Sequence, residues 1–181
     1  MDPNLPRWQT AGFVFTSVAG TLLHFLFDFS GQHPVAALFS AVNESIWEHM
    51  KLLFYPMVLF ACVEYRFLKE PGAAFWQAKL RGILLGLALI PVIYYSYTGI
   101  LGIRIDWINI AIFFLAAGIA FRRETLWIRE DRCVLPPGSA FLFLAVISLL
   151  FTFFTFFPPH IPLFRDVPTG TYGFSFAKAY T

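Results

Sequence analysis

The sequence predicts an all-α integral membrane protein built as a bundle of about five transmembrane helices. Hydrophobic residues make up 58% of its 181 residues and charged residues only 13%, whereas a soluble domain carries roughly 25% charged residues. Five apolar segments approach the roughly 20 residues that cross a bilayer as a helix. Because the net charge is only +2, nothing favours nucleic acid as a partner, and membrane lipid is the expected surrounding.

The first span is predicted over about residues 8–29. It is expected to remain in the protein, because no small-residue cleavage site follows its long apolar core. The other spans are predicted over about residues 46–67, 78–97, 107–121 and 139–157. The fourth is the shortest and can extend in either direction. Pro56 and Pro91 lie inside the second and third spans, where neighbouring helices satisfy the carbonyl groups that a proline frees.

The segment after the fifth span, residues 158–181, is rich in proline and glycine. We expect it to form an irregular outer tail and not a domain of its own, which leaves a single transmembrane domain over residues 1–181. Gly82 and Gly86 open the third span four residues apart. This spacing predicts close helix packing, with a contact between two copies of the chain, and hence a homo-oligomer, as the alternative. No protein partner is indicated.

Lysine and arginine residues orient the predicted bundle. Nine of the 13 fall before the first span or in the connections after spans two and four: Arg7, Arg66, Lys69, Lys79, Arg81, Arg122, Arg123, Arg129 and Arg132. The positive-inside rule places that side in the cytoplasm. The N-terminus is therefore predicted inside and the C-terminus outside.

The stretch from Asn43 to Lys51 concentrates polar chemistry directly before an apolar run. It reads Asn-Glu-Ser-Ile-Trp-Glu-His-Met-Lys, and polar residues at the edge of hydrocarbon are costly unless they are satisfied. Ser45 and Glu48 have the spacing of a capping box, in which the hydroxyl takes a free amide of the first turn and the carboxylate reaches back. The second span is therefore predicted to begin at this motif.

Histidines and carboxylates gather on the predicted outer side. His24 and Asp28 are four residues apart and share a helix face, while Glu44, Glu48 and Lys51 fall on one stripe of the second span. All four histidines lie on this side: His24, His33, His49 and His160. His33 precedes Pro34 in a loop and is expected to be solvated.

One interpretation is a metal site for zinc or another divalent ion, with a water in the fourth position. Its predicted ligands are His24, Asp28, His49 and His160, and its predicted general base, acting on the bound water, is Glu48. Four further residues complete the predicted polar site: Asn43, Glu44, Ser45 and Lys51. No local spacing such as His-Glu-x-x-His supports this interpretation.

The same residues also permit a purely structural interpretation. His24 and Asp28 could pair with each other, and Glu48 could cap its own helix and bond Lys51 three residues on. Asn43 and Ser45 are good capping residues. Sequence alone leaves both interpretations open.

Three parts of the chain resemble a family of small bacterial integral membrane proteins known as a domain of unknown function. They are residues 23–26, residues 42–52 with the string Asn-Glu-Ser-x-Trp-Glu-His-x-Lys, and residues 159–173. The resemblance extends over about residues 8–174. It implies about five spans in a bacterial inner membrane, and it implies no activity.

Three functions remain open at this point. The first is an outward-facing, metal-dependent hydrolase acting within the membrane. The second is a small ion- or proton-coupled carrier. The sequence disfavours it because the span centres are almost wholly apolar and the cytoplasmic half shows no matching polar set. The third is a structural or accessory subunit of a membrane complex.

Overall fold

The computed structural model describes residues 3–69, 71–136 and 138–174, and most of these residues are helical. In chain order, the helices are α1 (Leu5–Phe29), α2 (Pro34–Ala37), α3 (Ile46–Phe67), α4 (Phe75–Leu101), α5 (Asp106–Glu130) and α6 (Ser139–Phe156). A 3₁₀ turn follows at Pro162–Phe164, and one isolated bridge joins Arg165 to Tyr172. No strand is present in these ranges, which confirms the predicted all-α class.

Four of the described helices, α1, α3, α4 and α6, are long and apolar enough to cross a membrane. Helix α5 is equally long, but its apolar stretch over residues 107–121 lies between Asp106 and Arg122. It contains the predicted fourth span and extends beyond it to Glu130. A fifth crossing by α5 therefore stays a prediction, as does the orientation of the termini. The last part of the predicted tail, residues 175–181, lies outside the described residues.

Four helices enclose a common core. Helix α1 packs against α3 and α5, and α4 packs against the same two helices, so that the four form a closed ring. Fully buried alanines on α5, at positions 116, 117 and 120, let its backbone approach its neighbours closely. Helix α6 packs outside this ring against α3 and α4.

Large apolar side chains cover the outside of the bundle. Leu22 on α1, Val92 on α4 and Leu149 on α6 are between 60% and 68% exposed. Apolar surface that is continuous over several helices is characteristic of a face that meets lipid or another protein. The surface is thus compatible with lipid contact.

The two ends of the ring differ in chemistry. At one end, which we call the motif end, α1 and α4 finish and α3 and α5 begin. The Asn43–Lys51 motif lies at this end of the ring. At the opposite end, Lys79 of α4 lies 2.5 Å from Glu64 of α3 and 2.7 Å from Glu124 of α5. All three side chains are buried, and Gln9 of α1 donates to Glu64 at 2.6 Å.

The cluster at the opposite end corrects the expectation that this half of the bundle holds no matching polar set. Glu64, Lys79 and Glu124 lie on three different helices, so their sequence positions do not show that they meet. Gly82 makes room for the cluster, since a Cβ atom there would lie 2.1 Å from Cγ of Glu124. A Cβ atom at Gly86 would lie 2.7 Å from Leu53. Both glycines therefore serve packing within the chain.

Replacing Gly82 by alanine is expected to destabilise the protein by about 1–3 kcal/mol, the typical cost of overpacking. The added methyl group would displace the buried Glu124 carboxylate from Lys79. Unfolding of the detergent-purified variant, followed by circular dichroism, measures the effect. Gly99→Ala is the control, because a Cβ atom at that helical position meets nothing within 4 Å. Equal loss in both variants would contradict this account.

Cys133 offers a test of the predicted orientation. It is exposed in the connection between α5 and α6, which the positive-inside rule places in the cytoplasm. In a Cys62→Ser background, a membrane-impermeant maleimide should label Cys133 only after the cells are lysed. A chain with both natural cysteines replaced and His160→Cys added should be labelled in intact cells. The reverse pattern would invert the topology.

Candidate functional site

The start of α3 organises the motif end. Ser45 is the N-cap of α3, and its hydroxyl accepts a hydrogen bond from the backbone N–H of Glu48 at 3.4 Å. The backbone N–H of Ser45 donates to Asn43 Oδ1 at 2.9 Å. Glu48 therefore reaches further back than the capping box predicts and accepts from the N–H of Val42 at 3.1 Å. The helix begins at Ile46, where the sequence predicts it.

One face of this first turn carries a buried ion pair. Lys51 Nζ lies 2.5 Å from Glu48 Oε2, and both side chains are at most 2% exposed. The ammonium group also donates to the Ala37 carbonyl at 2.9 Å and to Thr155 Oγ1 at 2.8 Å. Its three donors are thus satisfied, and they join α2, α3 and α6.

Both carboxylate oxygens of Glu48 already have partners in this arrangement. Oε1 accepts from the Thr155 hydroxyl at 2.9 Å, and Oε2 is shared by Lys51 and the N–H of Val42. A role for Glu48 as a general base stays a prediction. Through these contacts, the carboxylate holds α6 and the loop before α3 against the start of α3.

The other face of the same turn brings together His24, Glu44 and His49. One ligand atom from each residue lies within 4.8 Å of the other two. His49 Nε2 is 3.4 Å from Glu44 Oε2, and His24 Nε2 is 3.7 Å from Glu44 Oε1. Ligand atoms around a tetrahedral zinc ion are about 3.3 Å apart, given metal–ligand distances of about 2.0–2.1 Å. The two histidines approach different oxygens of the Glu44 carboxylate, so the three side chains are near enough for one ion after small movements of the side chains.

The tautomer of His49 follows from its backbone partner. Its Nδ1 atom is 2.8 Å from the carbonyl oxygen of Ser45. A carbonyl oxygen only accepts, so Nδ1 carries the proton, and Nε2 of the neutral ring turns its lone pair toward Glu44. A lone pair and a carboxylate repel each other. A cation between them, either a proton on the ring or a metal ion, removes this repulsion. A backbone carbonyl that orients the imidazole in this way is typical of metal-binding histidines.

Glu44 is electrostatically suited to bind a cation. Its hydrogen bond with His49 lowers the pKa of the Glu44 carboxyl, even though partial burial works in the opposite direction. The carboxylate is therefore ionised at neutral pH, which is the form that binds metals. The side chain is half-exposed, so the site is open to solvent.

The predicted ligands fall into two groups. His24 and His49 meet, and Glu44, predicted only as part of the surrounding polar site, lies with them. Asp28 is exposed one turn beyond His24. His160 is exposed and packs its ring edgewise on Tyr172, with centroids 4.6 Å apart. Metal binding by Asp28 or His160 stays a prediction, since neither belongs to the group of three.

The tail fixes the backbone of Glu44. Asp166, only 5% exposed, accepts a hydrogen bond from the backbone N–H of Glu44 at 2.8 Å. Asn43 Nδ2 donates to the Gly173 carbonyl at 3.3 Å, and the N–H of Phe174 donates to the Thr155 carbonyl at 2.8 Å. Asp166 is not among the residues predicted for the site, because a carboxylate in a proline-rich tail gives no sign of which loop it contacts.

A cavity of about 400 Å³ adjoins the three residues and is bounded by α1, α3, α4, α5 and the tail. Its inner walls are apolar, with Leu52, Ile90, Ile112 and Phe113 among them. Phe25 on α1 and Phe114 on α5 line it and are also exposed on the outer surface of the bundle. The cavity therefore combines polar and apolar walls, and exposed aromatic side chains of α1 and α5 contribute to its lining.

The chain belongs to a family of unknown function (DUF6512), whose model matches residues 2–174. Comparison with curated proteins gives no match, and comparison with solved structures gives none either. This match confirms that the chain belongs to a family of unknown function, whereas the bacterial origin and the motif string of the family stay predictions. Since it brings no activity with it, function has to be argued from the site itself.

Replacing Lys51 by methionine is expected to cost about 3–5 kcal/mol of unfolding free energy, because it leaves the Glu48 carboxylate buried without its partner. Chemical denaturation in detergent measures the loss. The double variant Glu48→Gln, Lys51→Met should recover part of it, since no buried charge remains. If Lys51→Met unfolds like the wild type, the pair does not hold this end of the bundle together.

Proposed function

We propose that this chain is a membrane-embedded, metal-dependent hydrolase that holds zinc or another divalent ion with His24, Glu44 and His49. One observation carries the proposal: the three ligand atoms converge at the polar mouth of a cavity whose inner walls are apolar. Two imidazoles and a carboxylate suit zinc, and three protein ligands leave a fourth position for water.

A divalent ion at this position would activate a bound water and polarise a carbonyl or phosphoryl oxygen. The chain's own groups supply the remaining needs of hydrolysis. The Ser45 carbonyl fixes the His49 ring, and the Asp166 carboxylate fixes the Glu44 backbone. Asp106 lines the same cavity and is exposed, so it is the carboxylate we assign to accept a proton from the attacking water.

Hydrolysis at this site needs no further reactant. The water oxygen bonds to the carbonyl or phosphoryl centre, and its proton passes to Asp106. The bond to the alcohol oxygen breaks, and the departing alkoxide takes up the proton that Asp106 accepted. The apolar walls keep bulk water from the reacting bond, which strengthens the electrostatic effect of the ligands and their ion.

The shape of the cavity points to a substrate that resides in the bilayer. Its lining includes exposed side chains on both α1 and α5, so an apolar chain can enter from the hydrocarbon while a polar group reaches the mouth. Under the positive-inside rule, the mouth lies at the outer face of the membrane, in our proposal a bacterial cell membrane.

A carrier function is the second candidate, and one observation favours it. The buried cluster of Glu64, Lys79 and Glu124 provides the polar set at the opposite end that a carrier requires. Between the two ends, however, the rings of Phe60 and Phe121 pack directly on Gly12. This apolar layer favours the hydrolase. A structural role as an accessory subunit is the remaining alternative.

Metal content tests the proposal directly. The protein, purified in detergent without chelator, should contain about one divalent transition-metal ion per chain, measured by elemental mass spectrometry. His24→Ala, His49→Ala and Glu44→Gln should each lose it, because a site with two remaining ligands binds weakly. His160→Ala and Asp28→Asn should retain it.

These two control variants separate the site seen in the structure from the ligand set predicted by sequence. Thermal unfolding of the metal-free variants should show that they are folded. The absence of metal from the wild type, or an equal loss in His160→Ala, would overturn the proposed metal site. Retention of metal in all five variants would place the ion elsewhere.

A further inference from the structure

The cavity has a second polar wall across from His24 and His49. Arg104, Asp106 and Asn109 line it from the connection between α4 and α5 and from the first turn of α5. The connection is short and begins at Gly102, which adopts a left-handed conformation with φ of +67°. Arg104 is thereby carried to the mouth of the cavity.

Arg104 is attached to a fixed part of the structure. The Tyr97 hydroxyl on α4 donates to Asn109 Oδ1 on α5 at 2.5 Å, and it lies 3.5 Å from the N–H of Ile105. This bond ties the end of α4 to the start of α5 on both sides of Arg104. The guanidinium group therefore extends from an anchored connection. It is exposed, and it hydrogen-bonds with the side chain of Tyr94, which also lines the cavity.

With a divalent ion bound by His24, Glu44 and His49, the charges around the cavity favour an anion. Its charged lining consists of Glu44, Asp106 and Arg104, with His24 and His49 neutral when they bind a metal. Once a divalent ion is added, positive charge exceeds negative charge at the mouth. A guanidinium group offers paired N–H donors that match a phosphate or carboxylate group.

We propose that the substrate is an amphiphile with an anionic head group, phosphate or carboxylate, whose anion is bound by Arg104 while its acyl chain lies between α1 and α5. This inference rests on the proposed function, since it names the substrate class of the same site. The apolar part of the cavity, next to Phe25 and Phe114, accommodates the first carbons of the acyl chain. The rest of the acyl chain extends into the bilayer.

Binding of three probes to the detergent-purified, metal-loaded protein tests the inference. The probes are an acyl glycerol phosphate, the acyl glycerol with the same chain, and glycerol phosphate without a chain. Affinity is measured from the concentration at which each probe raises the melting temperature. The acyl glycerol phosphate should bind most tightly, and Arg104→Gln should weaken it about tenfold or more. Arg165→Gln, which removes an exposed arginine outside the cavity, should leave it unchanged.

Each alternative result overturns a stated part of the inference. Equal binding of the charged and uncharged acyl probes would exclude recognition of the anion. Glycerol phosphate binding as tightly as the acyl form would exclude the role of the chain. If Arg104→Gln and Arg165→Gln weaken binding of the acyl glycerol phosphate equally, the affinity reflects the positive charge of the surface and not a site at Arg104. The same probes are also tested on wild-type protein as purified, with its metal content measured. A wild type that contains no metal and still prefers the anionic probe would overturn the hydrolase and leave the anion site standing.

Discussion

The burial of one charge organises the motif end of this bundle. Glu48 lies in the first turn of a membrane helix, where an ionised carboxylate is tolerated only if it is fully paired. Lys51 provides the pairing one turn further along, and its remaining donors reach Ala37 and Thr155. Because three helices meet on this ammonium group, the position of α6 and of the tail that follows it depends on the pair.

The residues of the motif from Asn43 to Lys51 lie on two sides of the first turn of α3 and make different contacts there. On the buried face, Glu48 and Lys51 hold the structure together. On the open face, Glu44 and His49 meet His24 at the cavity mouth. The structural and functional interpretations that the sequence leaves open are therefore compatible, because they use different residues of one motif.

The sequence allowed the helices to be predicted better than the site. The predicted second span begins and ends where α3 does, because the cap at Ser45 and the charge at Arg66 mark its limits locally. Which side chains meet is a matter of helix rotation and packing. His24 and His49 were predicted to share a site, whereas Glu44 was placed beside it, since a residue preceding the N-cap gives no sign of its direction. The contact between Glu64, Lys79 and Glu124 is also not predictable, because it depends on how three helices rotate and pack against one another.

The hydrogen bond from the Glu44 backbone to Asp166 ties the site to the order in which the chain is made. A ribosome delivers α1 and α3 early, and the partner of Glu44 emerges more than a hundred residues later. Until then, the loop that carries Glu44 lacks the contact that fixes it. A chain that ends before Asp166 would contain both histidines but would lack the contact that fixes Glu44. The grouping of His24, Glu44 and His49, and with it the proposed metal site, is therefore completed only after α6 has been made.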